Sequence, residues 1–368
     1  MKKHLVWLLM LCSVFLCGCS SGGSSRELEH LLVVQAMGMD QTEGVLTVSL
    51  ASPAESSREL PPRRLQGQGS TVTEALGELR RGSSEKELFL PSVAVMLLGE
   101  ELTEEDLSLP LDYLCRSPEL RMDIPVFTVR GATAASLIKD TGDERRGIVE
   151  LLQNRDSLSQ DGESSPDLSA AELQRRLEAY GGALLPALRR REAADGEAVA
   201  VEAAGLAVIR DGRAVAYLEE EDAPVARLLL GRRPVWTETV ENEWGTRVTL
   251  EFSSPTLRVE PRQTAEGELT GFDISVSLTA ALLDTRSQGD PGGEELDALR
   301  ETAERLILQR MSRILRLSRD TGTDFLGLSY YIIGKGSGNG DFLTDRLSFR
   351  LAVNSKLRET RDVREDRP

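Results

Sequence analysis

"VEAAGLAVIRDGRAVAYL", from Val201 to Leu218, holds two β-rich runs on either side of Asp211-Gly212. An Asp-Gly pair tolerates the positive φ angles that a tight hairpin turn demands, so the stretch predicts a β-hairpin. After it, "EDAPVARLLLGR" reads as a short helix capped by Gly231. "WGTRVTLEFSSPTLRVEPR" and "GFDISVSLTAALLD" alternate apolar and polar residues as half-buried strands do. "GGEELDALRETAERLILQRMSRILRLSRD" repeats apolar residues at steps of three and four, Leu299, Ala303, Ile307, Met311 and Ile314 among them, and predicts a long one-faced helix. "TDFLGLSYYIIGKG" reads as a shorter helix, and "DRLSFRLAVNSKLRE" as a closing strand.

On the N-terminal side of the hairpin, strand and helix patterns alternate. "LEHLLVVQAMGMD" and "GVLTVSLASPAE" predict two strands joined at Thr42-Glu43-Gly44, and "RELPPRRLQGQGS" a Pro/Gly-rich loop. "STVTEALGELRRG" opens with a capping-box spacing, Thr71 to Glu74, and stops at Gly82. "ELFLPSVAVMLLGEEL" is a largely apolar strand, "TEEDLSLPLDYLCR" a helix, "MDIPVFTVRG" a strand and "ATAASLIKD" a helix. The polar "RDSLSQDGESSPDLS" is a loop or hinge. "SAAELQRRLEAYGGALLPAL" predicts a helix, and "RREAADGEAVAVEA" a connection. This order predicts an α+β protein with mixed α/β patterning, several domains, and helices packed on mixed sheets.

The start of the chain has another character. Two lysines precede a run of apolar residues from Leu5 to Leu16, which is shorter than the roughly 20 needed to cross a bilayer. A charged start, a short apolar middle and small residues after it are the parts of a secretory signal. Leu16-Cys17-Gly18-Cys19 matches the box at which bacterial lipoprotein leaders are cut and the following cysteine acylated. Cys17 would require cleavage after bulky Leu16, and Cys12 precedes the end of the apolar run. The expected site is therefore Cys19, carrying S-diacylglycerol and an N-acyl group, with cleavage after Gly18. Residues 1–18 are then a lipoprotein signal peptide and 19–25 the lipidated cysteine and a flexible tether. Residues 26–190 and 197–358 form two larger regions, with 197–232 as a candidate middle subdomain, and 359–368 are a charged tail. Two or more acyl chains hold a protein on a membrane durably, whereas one does so only marginally.

The net charge is −16, and loss of Lys2 and Lys3 with the leader takes it to −18. Such acidity excludes a phosphate-binding surface for nucleic acid and disfavours anionic headgroups, leaving the lipid as the expected membrane contact. Of the four cysteines only Cys19 and Cys115 remain after cleavage, so no intrachain disulfide is expected; Cys115 reads as a small buried apolar residue.

Candidate chemistry is sparse. His30 would be the only imidazole of the mature chain and reads as a surface or strand-edge residue. Glu219-Glu220-Glu221-Asp222 lacks the interleaved glycine and spacing of a calcium loop and reads as a solvated helix start. Ser136 and Lys139 match Ser-x-x-Lys of penicillin-recognising enzymes, but Ser-Asp-Asn and Lys-Thr-Gly do not occur. The glycines between Gly334 and Gly340 surround Lys335, which no Ser or Thr follows, so a loop is expected rather than a phosphate cradle. No catalytic residue, cofactor or metal site is expected. A solute-binding lipoprotein and a cell-wall hydrolase are the alternatives.

Five stretches together resemble one family: "RELEHLLVVQAMGMD", "GSTVTEALGELRR", "LFLPSVAVMLLGEEL", the hairpin with its following helix, and the long helix leading into Asp324-Phe325-Leu326-Gly327. They are similar to the Ger(x)C (GerAC-like) proteins, lipoprotein C subunits of spore germinant receptors. Family members often carry Trp directly after the lipid cysteine, where this chain has Ser20. Many carry His where this chain reads Leu90-Pro91-Ser92. The resemblance implies an elongated α+β protein of three domains on the outer face of the spore inner membrane. It also implies a non-enzymatic role in assembly or signal coupling beside a polytopic A subunit and a membrane-embedded B subunit. Direct binding of small molecules is not expected of it.

Overall fold

The computed structural model describes residues 30–52, 64–83, 86–141, 168–192, 199–285, 293–333, 343 and 347–358. The expected leader, Cys19 and the expected tether lie outside the described residues, as do most of the polar stretch before Leu168, the glycines from Gly334 to Gly340 and the tail.

In chain order the first strands are β1 (Leu31–Val33), β2 (Ala36–Thr42), β3 (Val45–Ala51), β4 (Arg64–Gly69), β5 (Glu87–Phe89), β6 (Val95–Gly99) and β7 (Val126–Val129). The helices among them are α1 (Val72–Gly82), α2 (Glu100–Glu105), α3 (Ser108–Arg116) and α4 (Ala134–Thr141). Then come α5 (Ala170–Tyr180), β8 (Gly182–Glu192), β9 (Val199–Arg210), β10 (Arg213–Leu218) and α6 (Ala223–Leu229). The last part holds β11 (Trp236–Glu241), β12 (Arg247–Gln263), β13 (Leu269–Thr285), α7 (Gly293–Thr321), α8 (Ser329–Ile333) and β14 (Ser348–Arg358).

Eight strands form one mixed sheet in the order β10-β9-β8-β7-β6-β2-β3-β4. Its centre is parallel, from β2 through β6 and β7 to β8, and both flanks are antiparallel. A second sheet runs β11-β12-β13-β14, antiparallel except for the β13–β14 pair, and β1 pairs with β5 in a small parallel sheet. The α+β expectation with mixed sheets and packed helices is met.

Side-chain alternation divides the core. Met96 and Leu98 of β6 face one side of the large sheet with Leu76 of α1, Leu111 of α3 and Leu173 of α5, while Val95 and Leu97 face the other with Leu137 of α4. In β8 and β9, Leu185, Ala207 and Ile209 stay with the first side. Leu184, Leu206 and Val208 instead join a third core with α6, α7 and the second sheet. The C-terminal elements thus close over one face of the N-terminal sheet.

Local chemistry corrects several sequence expectations. The end of the expected Pro/Gly loop is strand β4, because Gly67 and Gly69 leave room for α1 on top of it; a Cβ on Gly67 would lie 2.7 Å from Leu79 Cγ. The capping box is shifted by one residue. The Thr71 hydroxyl accepts from the Glu74 amide at 3.2 Å, but the Glu74 carboxylate reaches back to the Ser70 amide, at 2.8 Å. The single helix expected over "TEEDLSLPLDYLCR" is two, α2 and α3, broken where Asp106 takes an extended backbone and its carboxylate accepts from the Ser108 amide at 2.8 Å. "SAAELQRRLEAYGGALLPAL" is helix only to Tyr180. Gly181 ends it with φ 66°, and the residues from Gly182 onwards form β8. Part of the expected connection after it belongs to β8 and β9, and "TDFLGLSYYIIGKG" becomes helical only at Ser329. Cys115 is exposed: Pro110, Leu111 and Leu114 form the inner side of α3, and the next position points outwards.

Candidate functional site

The residues singled out for chemistry do not converge. The Ser136 hydroxyl donates to the Thr133 carbonyl at 2.7 Å in the first turn of α4, and Lys139 is exposed. His30 is exposed on the rim of a cavity of about 550 Å³ beside β5, where Arg80 is held by Glu119 at 2.6 Å. Cys19 and Gly334 to Gly340 lie outside the described residues.

One of these features does have a role: the acidic run is a helix start as expected, with Glu219, Glu220 and Glu221 exposed, but Asp222 is buried. The acidic run Glu219 to Asp222 carries the chain from the end of β10 into α6, and its carboxylates tie three elements together. Arg130, just past β7, meets Glu219 with both terminal nitrogens at 3.1 and 3.2 Å and lies 4.7 Å from the Tyr217 ring centre. Asp222 is 1% exposed and pairs with Arg313 of α7 at 3.0 Å, which also reaches Glu221 at 3.2 Å. One turn earlier on α7, Arg310 is 5% exposed and pairs with Glu238 of β11.

The last residue of α7 and the segment after it dock on the N-terminal sheet as well. Arg210, at the end of β9, donates to the Thr321 carbonyl at 2.8 Å, and Arg176 of α5 donates to the Phe325 carbonyl at 2.7 Å. Asp324 is fully buried, and its carboxylate accepts from the Leu328 and Ser329 amides at 2.7 and 2.9 Å, capping α8. Gly205, in a β-bulge of β9, has φ 84°, and a Cβ there would strike the Leu218 carbonyl; only glycine lets the hairpin close in this form. The arrangement is a joint. A hairpin shared by both parts of the chain is clamped by α7 at both ends, through ion pairs at one and backbone carbonyls at the other.

The charges of the joint respond to its burial. Burial pushes the carboxyls of Asp222 and Asp324 above the usual aspartate range, against the opposing pull of Arg313 on the first and of hydroxyl and amide hydrogen bonds on the second. Asp40, which caps α4 through the Ala134 and Ala135 amides, is raised for the same reason. Burial lowers the Arg176 guanidinium, whereas Arg130 and Arg175 hold Glu219 and Glu172 below the usual range.

These signs set the pH dependence of stability. The raised aspartates bind their proton more tightly folded than unfolded. Their contribution is full below the ordinary aspartate value and is lost as pH rises through the folded value. The lowered glutamates contribute above the ordinary glutamate value and lose that contribution as pH falls below it. Thermal unfolding is therefore expected to show a Tm that falls as pH rises through the range in which the buried aspartates lose their protons, and that falls again in acid below the ordinary glutamate value. A Tm that rises as pH climbs out of the aspartate range contradicts the burial of these carboxyls.

Comparison with known proteins places the joint in a family. Residues 24–190 match the spore germination protein N-terminal domain, and residues 204–360 match the spore germination B3/GerAC-like C-terminal domain. The chain belongs to the Ger(x)C family. The first match ends at Arg190 in β8 and the second begins at Ala204 in β9, so the two family segments meet inside the shared sheet of this Ger(x)C chain. A solved structure titled "Crystal Structure of the GerBC protein" superposes with a TM-score of 0.52 at 14% identity, covering 89% of this chain and 99% of that one; at this identity it shows a common fold. No curated protein sequence matches significantly.

Sequence reading missed the joint because its arginines are scattered from Arg130 to Arg313. One signal was present: Arg310 falls on the apolar stripe of α7, between Ile307 and Ile314. A charge in such a position calls for a buried partner.

Proposed function

We propose that this Ger(x)C chain is the lipid-anchored C subunit of a nutrient germinant receptor, acting without turnover to assemble the receptor or to couple its signal. The observation that carries the reading is the family match running through both parts of the chain, together with the Leu16-Cys17-Gly18-Cys19 box that precedes them. On this reading residues 1–18 are removed and Cys19 is acylated. Regions 26–190 and 197–358 then stand on the outer face of the spore inner membrane beside the polytopic A and membrane-embedded B subunits. Among the described residues no helix is long and apolar enough to cross a membrane. The joint suits a coupling part: force or displacement applied to one sheet passes to the other through the hairpin and α7.

Affinity isolation of the tagged chain from detergent-solubilised spore membranes tests this. Two multi-span membrane proteins are expected to come with it in fixed proportion. Recovery of the chain alone from membranes in which those proteins are present would contradict the receptor reading.

A further inference from the structure

The two tryptophans among the described residues have opposite settings. Trp236 is 1% exposed in the core, whereas Trp244 is 55% exposed at the tip of the turn between β11 and β12. The turn is built to hold the ring there. Asn242, itself buried, accepts through Oδ1 from the Trp244 amide at 3.1 Å and from the Thr246 amide at 2.9 Å, and Gly245 closes the turn with φ 79°. The Thr246 hydroxyl lies 3.5 Å from Glu295, which places the turn beside the start of α7. The same end of the sheet exposes Leu283, next to Asp284, which pairs with Thr249 of β12. Acids surround the ring: Glu243, Asp284 and Glu294 are exposed, and none has an ion-pair partner among the described residues. Arg247 is already taken by Glu241, at 2.6 Å.

We propose that this end of the second sheet is a protein-docking surface, on which Trp244 anchors a partner segment that carries Lys or Arg beside an apolar pocket. An indole kept in the open gains its burial energy only when covered, and tryptophan is enriched among the residues that dominate interfaces. A turn that already holds the ring in place lowers the ordering cost of covering it. The acidic rim selects the charge of the partner. Opposite charges steer the encounter, whereas a second copy of this chain, net −16, or an anionic bilayer meets repulsion. Such docking goes beyond the receptor assignment, because a partner of this chemistry need not be a receptor subunit. In sequence "ENEWGTR" reads as a turn and nothing more; Asp284 and Glu294 join it only through the pairing of β12 with β13 and the packing of α7.

The test is photo-crosslinking in spores that carry the full chain, with the photoreactive p-benzoylphenylalanine in place of Trp244. A protein adduct is expected, in which the captured peptide carries Lys or Arg within a few residues of the point of attachment. Charge reversal of the rim, Glu243→Lys with Asp284→Lys, alters exposed side chains only. It is expected to lower the adduct yield about tenfold while Tm stays close to that of the wild-type chain. The same probe in place of Arg258, an exposed residue farther along β12, is expected to give no such adduct. Absence of an adduct at position 244, an adduct with lipid only, a captured peptide without basic residues, an undiminished yield after charge reversal, or an equal yield from position 258 overturns the proposal.

Discussion

Glu238→Ala is expected to destabilise the folded chain by about 3–5 kcal/mol, the cost typical of stranding one member of a buried ion pair. Arg310 lies on the inner stripe of α7, flanked by Ile307, Met311 and Ile314, and its side chain is 6% exposed; that of Glu238 is 17% exposed. Removing the carboxylate leaves a guanidinium in an apolar core, and the neighbouring Asp222 carboxylate already pairs with Arg313. The pair itself is a different matter. Taking two charges out of water offsets most of their attraction, so Arg310→Met combined with Glu238→Leu is expected to come close to wild type. Urea unfolding of the single and double variants separates the two effects. A loss below about 1 kcal/mol in Glu238→Ala would mean that Arg310 reaches solvent, as an exposed pair does.

The second large effect is expected at Cys19, and it concerns location rather than stability. With Cys19→Ala the diacylglyceryl thioether and the N-acyl group cannot form, and the tether has nothing to hold it to the bilayer. Each acyl chain supplies about 0.8 kcal/mol per buried CH2 group, so losing all of them abolishes durable attachment. The acidic chain gains nothing from anionic headgroups in compensation, given its net charge of −16. The variant is expected in the soluble fraction, folded, with the Tm of the wild-type chain, since Cys19 precedes the first described strand by about ten residues. Retention in washed membranes at wild-type levels would mean that partners alone hold it.

What sequence reading could reach was set by the range of the forces involved. The β9–β10 hairpin, the capped α6 and the 29-residue α7 were legible because turn chemistry and helical period act within a few residues. β4 was hidden because its glycines look like loop and acquire meaning only when α1 lies across them. The end of α5 was overrun because apolar residues continue past Tyr180, and a left-handed Gly181 redirects them into β8. The fate of Glu219 to Asp222 depended on Arg130 and Arg313, which lie 89 and 91 residues from their partners in the chain. Pairing at such distances leaves no local periodicity. Cys115 was misjudged from residue type alone, when its phase relative to Leu111 and Leu114 already placed it outside.

On the proposed reading the joint and the anchor work as one mechanical unit: lipid and partners would hold the chain at the membrane, and the shared hairpin clamped by α7 would keep its two sheets in register. The most direct measurement is nutrient-triggered germination of spores that carry Cys19→Ala in place of the wild-type chain, at matched protein levels. A strongly reduced rate of response is expected, restored when a transmembrane helix fused ahead of Ser20 returns the protein to the membrane. Wild-type germination by spores whose protein is soluble would contradict the anchored coupling role.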